Sequence, residues 1–486
     1  MRTRIGFRSA VAATAVFSAL ATVSGPVSAA PVPPDGRLAQ RLERTVTGRA
    51  AFAHLAALQR IADRDGGVRA TGTPGFTASA DYVAARLTAA GYRVRRQPVP
   101  YSDFHVDAET ARERTPTARD LRVMAMSGTP TTPAGGIDAP LVVTPTERDG
   151  TPDPTPGCEP EDYAGLPVTG AIVLAVRASC GYTHQQQVIA SLGGRAMLVY
   201  LDTPSPENIW RLHAFTPSDF HIPVASISQS QAGRLAADAA NSPVQIRLDL
   251  RGHQVTGTTV NLFAETRGGR ADRVVMAGGH LDSVSEGPGI NDNGSSAAAI
   301  LQTALRLAPY QDTVVNKVRF AWWGAEELID VGSDHYVAGL TDSQRRAIAV
   351  YLNFEMLGSP NFGRFIMDSG GPPGSTAAAR VLEQAFTARG LPYTSEDITG
   401  IGSDHEPFAA AGIPVTGMDT GALGVKTAAE ASVYGGTAGR LYDHCYHQSC
   451  DRLSNINRRA FDENVPRIAR TIGRFAMNAD DVEAQR

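Results

Sequence analysis

The C-terminal half of the chain sets the fold by its rhythm: after Gly257, short apolar runs alternate with loops and with helical patterns. Residues 274–277, 318–322, 348–354, 364–367 and 414–418 read as buried strands, and Ala297, Ile300, Leu301, Ala304, Leu305 and Ala308 recur at helical spacing between two of them. Strands that alternate with helices predict an α/β fold, with a mostly parallel central sheet flanked by helices.

In open α/β sheets the binding crevice lies beyond the carboxyl ends of the strands. Three of these strands end there in carboxylates or imidazoles. GGHLDSV follows the first and supplies His280 and Asp282; GPGINDNGSS then places Asp292 in a glycine-rich turn that opens a helix. GAEEL supplies the adjacent Glu326 and Glu327, NFEMLGSPN supplies Glu355, and CYHQSCD supplies Tyr446 and His447. A mixed imidazole and carboxylate set suits zinc, which takes four ligands and can keep one position for water. Any one of these residues alone has a plain structural reading, as a satisfied core histidine, a solvated helix start or a helix cap. Together, at strand ends and in short loops, they point to a metal centre.

Upstream, apolar residues recur at helical spacing over 53–62 and 76–90, Gly91 stops the second run, and residues 92–99 read as a strand. Between 119 and 257 Pro and Gly cluster and short strands such as 171–176 and 196–201 alternate with turns, which predicts an inserted β-rich domain. The expected division is therefore a leader at 1–29, an N-terminal part of the main domain at 30–118, the insert at 119–257 and the main catalytic part at 258–486. The leader reads as a signal peptide, with Arg2, Arg4 and Arg8 before an apolar stretch at 9–23 and small residues through Ala29. That stretch is shorter than the ~20 residues that span a bilayer. The proline-rich residues 31–35 read as a flexible mature end.

Secretion makes disulfides the expected use of the four cysteines, as Cys158 with Cys180 and Cys445 with Cys450, over a thiolate zinc site, for which no paired C-x-x-C spacing is present. With 42% hydrophobic and 19% charged residues and a net charge of -4, the 486-residue chain is compositionally globular, which argues against disorder and against nucleic-acid binding by bulk charge. No later run is apolar enough to span a membrane.

HLDSV, GPGINDNGSS, WWGAEEL, NFEMLGSPN and CYHQSCD, in this order, resemble the secreted bacterial di-zinc aminopeptidases of metallopeptidase family twenty-eight, over roughly residues 50–118 and 258–475. GCEPEDYAGL, GAIVLAVRASC, GGRAMLVYLD and IPVASIS resemble a protease-associated domain, often inserted in that family. The resemblance implies a zinc exopeptidase fold of the phosphorylase/hydrolase-like type with two zinc ions, one on His280, Asp292 and Glu355 and the other on Asp292, Glu327 and His447. It implies Glu326 as general base, Tyr446 as oxyanion donor, Asp282 as the group orienting His280, and a cis peptide after Asp292.

Two departures stand out: Glu355 occupies a position where the nearest relatives usually carry Asp, and GMDTG places Met418 and Asp419 where they often have an apolar pocket residue. An Asp419 facing the side-chain pocket would favour basic residues, whereas one capping a turn would not. Gly402 stands where the family often has Arg, and Asp404 and His405 read as supporting residues rather than ligands. The implied activity is secreted hydrolysis of the N-terminal bond of peptides or protein N-termini, with no nucleic-acid partner and no membrane contact after leader cleavage. The alternatives are a glutaminyl cyclase or carboxypeptidase on the same scaffold, or a binding protein with a dead site.

Overall fold

The computed structural model describes residues 34–486 other than 149, 215 and 400. The expected signal segment 1–29 lies outside them. The first element is a helix that the apolar pattern did not announce, Pro34–Thr45. Proline suits a helix start, where its missing N–H would have no intrahelical partner. The stretch 31–35, expected to be flexible, is thus helical from Pro34 onward. Leu38 and Leu42 join the main core with Ile468 and Ile472 of the long helix Arg458–Met477. Glu43, also buried, takes ion pairs of 2.6–2.8 Å from Arg389, Arg467 and Arg470.

Helices Gly48–Arg64 and Pro74–Ala89 follow as expected, each started by a threonine, Thr47 or Thr73, whose hydroxyl accepts a first-turn amide. Beyond Gly91 the chain enters a strand far longer than the apolar pattern predicts, the 23-residue Arg93–Thr115. It pairs antiparallel along its length with Gln245–Glu265. Gly257, at the expected boundary 257/258, lies inside that second strand opposite Tyr101, whose hydroxyl stands 2.5 Å from where a Cβ would be. A side chain at 257 would have to push the Tyr101 ring aside.

This ribbon joins two sheets. On one side the order is Thr394–Asp397, Phe365–Ser369, Val415–Asp419, Ile348–Phe354, Arg270–His280, Asn316–Trp323, then Gln245–Glu265. The four central strands run parallel, while Phe365–Ser369 meets Val415–Asp419, and Gln245–Glu265 meets Asn316–Trp323, antiparallel. Every residue of Ile348–Phe354 is buried, as expected of a strand covered on both faces. Helices Gly48–Arg64, Ser295–Leu307 and Arg458–Met477 contribute to one core layer, and Trp323, Tyr336, Tyr351 and Phe408 belong to another. On the other side of the ribbon, Ile137–Val143, Ile172–Val176, Ala196–Tyr200 and Val224–Ile227 form a parallel set with cores of their own.

Candidate metal centre

The carboxyl ends of the central strands converge. His280 is the last residue of its strand, Glu326 and Glu327 follow Asn316–Trp323 by three residues, and Glu355 follows Ile348–Phe354 directly. Asp292 and His447 arrive from loops. The Asp292–Asn293 peptide is cis. Asn293 fixes this turn to the neighbouring strand end, donating through Nδ2 to the Phe354 carbonyl (2.9 Å) and accepting the Met356 amide at Oδ1 (3.2 Å).

Asp292 divides its carboxylate between two partners. Oδ1 lies 3.2 Å from His280 Nε2, and Oδ2 lies 3.2 Å from His447 Nε2. Glu355 Oε2 stands 3.4 Å from His280 Nε2, and Glu327 Oε2 stands 3.1 Å from His447 Nε2. Two triads therefore share one aspartate. Glu326 also reaches this end of the centre: its Oε2 lies 3.6 Å from His280 Nε2, and His280, Glu326 and Glu355 lie close enough together to hold a metal ion as a set of their own. His280 Nδ1 donates to the Asp282 carbonyl at 3.2 Å, which leaves Nε2 as the lone-pair nitrogen facing the centre.

The donor set fits zinc. Imidazole nitrogens and carboxylate oxygens are its ordinary ligands, and Glu327 Oε1 is buried with no hydrogen-bond partner, which is costly unless a cation satisfies it. Without a cation the charges distort one another. Burial would lower the His280 pKa, but Glu326 and Glu355 carry it well above the ordinary value. His447 likewise rises to about 10 against burial, chiefly through Glu327. Burial pushes Glu326 well up, and it would raise Asp292 too, but hydrogen bonds from the two histidines bring Asp292 down.

The supporting groups refine the sequence reading. The Asp282 carboxylate stands 3.6 Å from His280 Nδ1 and instead accepts the amides of Glu326 and Glu327, each at 3.3 Å, and the Thr71 hydroxyl at 3.1 Å. It positions the paired glutamates at least as much as the histidine. In the GIGSDHEPF segment the hydrogen bond to Glu355 comes from Ser403, whose hydroxyl donates to Oε1 at 2.6 Å, rather than from Asp404 or His405. That bond fixes where the longer glutamate side chain lands. Met418, expected beside Asp419 in a substrate pocket, is fully buried in the main core. Successive strand residues face opposite sides, so Asp419 alone of the two lines the cavity. Asp419 also caps a turn, accepting the Gly421 amide at 2.7 Å.

Both disulfides form as expected, Cys158–Cys180 and Cys445–Cys450. The second brackets Tyr446 and His447, whose rings stack 3.8 Å apart. His447 holds φ at +55°, a conformation that costs a non-glycine residue about 1–3 kcal/mol and is found where surrounding structure enforces it. The enforcement comes partly from the insert, which sequence reasoning missed: Asn208 donates to the His444 carbonyl (2.7 Å), Trp210 to that of Tyr446 (3.0 Å), and Gln448 returns a bond to Ile209 (2.8 Å). Arg69 was missed as well. Its buried guanidinium donates to the carbonyls of Leu281, Pro288 and Gly289, which ties the His280 strand end to the Asp292 turn.

The centre opens into a cavity of about 610 Å³, lined by His280, Asp292, Glu326, Glu355, Tyr446 and His447 and continuing past Phe365, Ile401, Leu423 and Val425.

Comparison with known proteins gives two family matches, Peptidase family M28 over residues 261–472 and the PA domain over 137–235. The chain is 38% identical to an aminopeptidase of Pseudomonas aeruginosa over 84% of this chain and 77% of that protein. It is 36% identical to the "Probable lipoprotein aminopeptidase LpqL" of Mycobacterium tuberculosis, over 96% of this chain and 93% of the other. Its fold is similar to that of a solved zinc aminopeptidase from Bacillus subtilis, with a TM-score of 0.68 at 22% identity over 88% of this chain and 94% of that one.

Proposed function

The chain belongs to peptidase family M28 and is an aminopeptidase, and we propose that it is secreted and removes N-terminal residues from peptides and proteins with two zinc ions. One ion would rest on His280, Asp292 and Glu355, the other on Asp292, Glu327 and His447. The observation that carries this reading is the split carboxylate of Asp292, one oxygen toward each histidine. Bound there, zinc supplies Lewis acidity toward the scissile carbonyl and lowers the pKa of water.

The remaining roles belong to the chain. Glu326 takes a proton from water and returns it to the departing amine, and burial raises its affinity for that proton. Tyr446 stays protonated through burial and donates to the oxyanion that develops at the carbonyl. Asp282 holds the backbone of Glu326 and Glu327 in place. Glu326 and Glu355 give the free amino terminus a negative environment.

The division at 30–118, 119–257 and 258–486 accords with the PA domain match at 137–235, which falls inside the insert. Secretion is supported by the two disulfides and the leader pattern, and among the described residues no helix is long and apolar enough to cross a membrane. The test is hydrolysis of amino-acid nitroanilides, free and N-acetylated, by the purified mature protein. Release from free-amine substrates only, abolished by chelator and restored by zinc, is expected. Release from N-acetylated substrates, or activity indifferent to chelation, would refute the reading.

A further inference from the structure

We propose that this chain selects cationic N-terminal residues, lysine or arginine, through Glu396 and Asp419 in the wall of the cavity that opens from the metal centre. The inference rests on the aminopeptidase reading above, and it adds that the cavity opening from the metal centre receives the side chain of the departing residue.

The two carboxyls come from separate strands. Asp419 ends Val415–Asp419 opposite Phe365, and Glu396 lies in the edge strand Thr394–Asp397 opposite Met367. Both line the cavity. Asp419 has the Gly421 amide on Oδ1. Glu396 Oε2 is buried and has no hydrogen-bond partner. A buried acceptor left unsatisfied costs free energy that an incoming donor recovers. Burial pushes both carboxyls above the ordinary range, and the charge of Glu396 adds to the rise at Asp419, so a cation beside the pair relieves both.

The remainder of the wall suits a long basic side chain. Phe365, Ile401, Leu423 and Val425 offer apolar surface for its methylenes, and among the described residues no lysine or arginine lines the cavity to neutralise the acids from within. Of the other acids that line the cavity, Asp292, Glu326 and Glu355 belong to the metal centre, and Glu430 is engaged: it accepts the Thr427 amide and hydroxyl, each at 2.8 Å. The pair Glu396–Asp419 is therefore the free acceptor, and an ammonium or guanidinium is the donor that satisfies it.

The test compares kcat/KM for lysine, arginine, norleucine and leucine nitroanilides with the zinc-loaded enzyme, its Glu396→Gln variant and its Asp419→Asn variant. Norleucine matches the lysine stem without the charge. We expect lysine to exceed norleucine by at least about tenfold in the wild type, and each isosteric variant to cut that ratio by about tenfold or more. A wild-type ratio at or below one, with norleucine and leucine cleaved, would overturn the proposal while leaving the aminopeptidase reading intact. Variants that slow all four substrates equally would also overturn it, because the pair would then hold the shared α-ammonium or the fold. No cleavage of any free-amine substrate would overturn both.

Discussion

Replacing Asp282 by asparagine tests how the site is held. The carboxylate is fully buried and serves three donors on two edges: Oδ1 accepts the Glu326 amide at 3.3 Å, with His280 Nδ1 beyond it at 3.6 Å, and Oδ2 accepts the Glu327 amide at 3.3 Å and the Thr71 hydroxyl at 3.1 Å. Asparagine has one carbonyl oxygen and one NH2. If the NH2 takes the Oδ1 edge, the Glu326 amide loses its acceptor and the NH2 also faces the imidazole N–H, which keeps its bond to the Asp282 backbone carbonyl. If it takes the Oδ2 edge, Thr71 can rotate to accept from it, but the Glu327 amide is left facing a donor. The second arrangement is the better one, and it strands a single buried amide at about 1–3 kcal/mol. A cost near 2 kcal/mol corresponds to about 25-fold at tenfold per 1.4 kcal/mol, within the 10–100-fold range seen for lost support of metal ligands. Because the stranded amide belongs to Glu327, the loss should fall on the ion shared with His447 rather than on that shared with His280. Competitive titration of zinc against a chelator, read alongside denaturant unfolding, should show one site weakened and the other nearly unchanged. An Asp282→Asn protein with wild-type stability and two unaltered zinc affinities would refute the reasoning.

Glu326→Gln should lower kcat by about 10²–10⁴-fold while zinc content by elemental analysis stays at the wild-type level, because the proposed role of Glu326 is to move the proton and not to hold an ion. Trp210→Phe removes the indole N–H bond to the Tyr446 carbonyl but keeps most of the apolar burial, so chemical denaturation should show a loss of about 1 kcal/mol, with a fall in kcat of less than tenfold. In metal-free protein the raised pKa of His447 has a definite sign. The folded state binds a proton more tightly than the unfolded one, so this contribution is fully present below about 6.5 and is lost as pH rises toward about 10. Thermal melts in chelator should therefore show stability falling across that window, and excess zinc, which takes the proton's place, should flatten the profile.

Most of the central sheet was legible because its strands are buried on both faces and so read as unbroken apolar runs, as in IAVYLNF at Ile348–Phe354. The ribbon was not. In Arg93–Thr115 exposed and half-buried residues are mixed along most of the length, so hydrophobicity marks only its start, and its extent is fixed by cross-strand pairing with a segment far away in sequence, as for Ser102 and Thr256. The ligand candidates were legible because each sits just past a strand end or inside a short loop. Their supports were invisible for the opposite reason: Arg69 reaches Pro288 across 219 positions and Trp210 reaches Tyr446 across 236. Met418 was a misreading that strand alternation corrects, since a cavity-facing Asp419 obliges its neighbour to face the core.

The central claim is that one aspartate holds both ions, and zinc content after exhaustive dialysis tests it most directly. The wild type should retain two zinc per chain, His280→Ala and His447→Ala about one each, and Asp292→Ala essentially none. A wild type with a single zinc, or an Asp292→Ala protein that keeps two, would contradict the account.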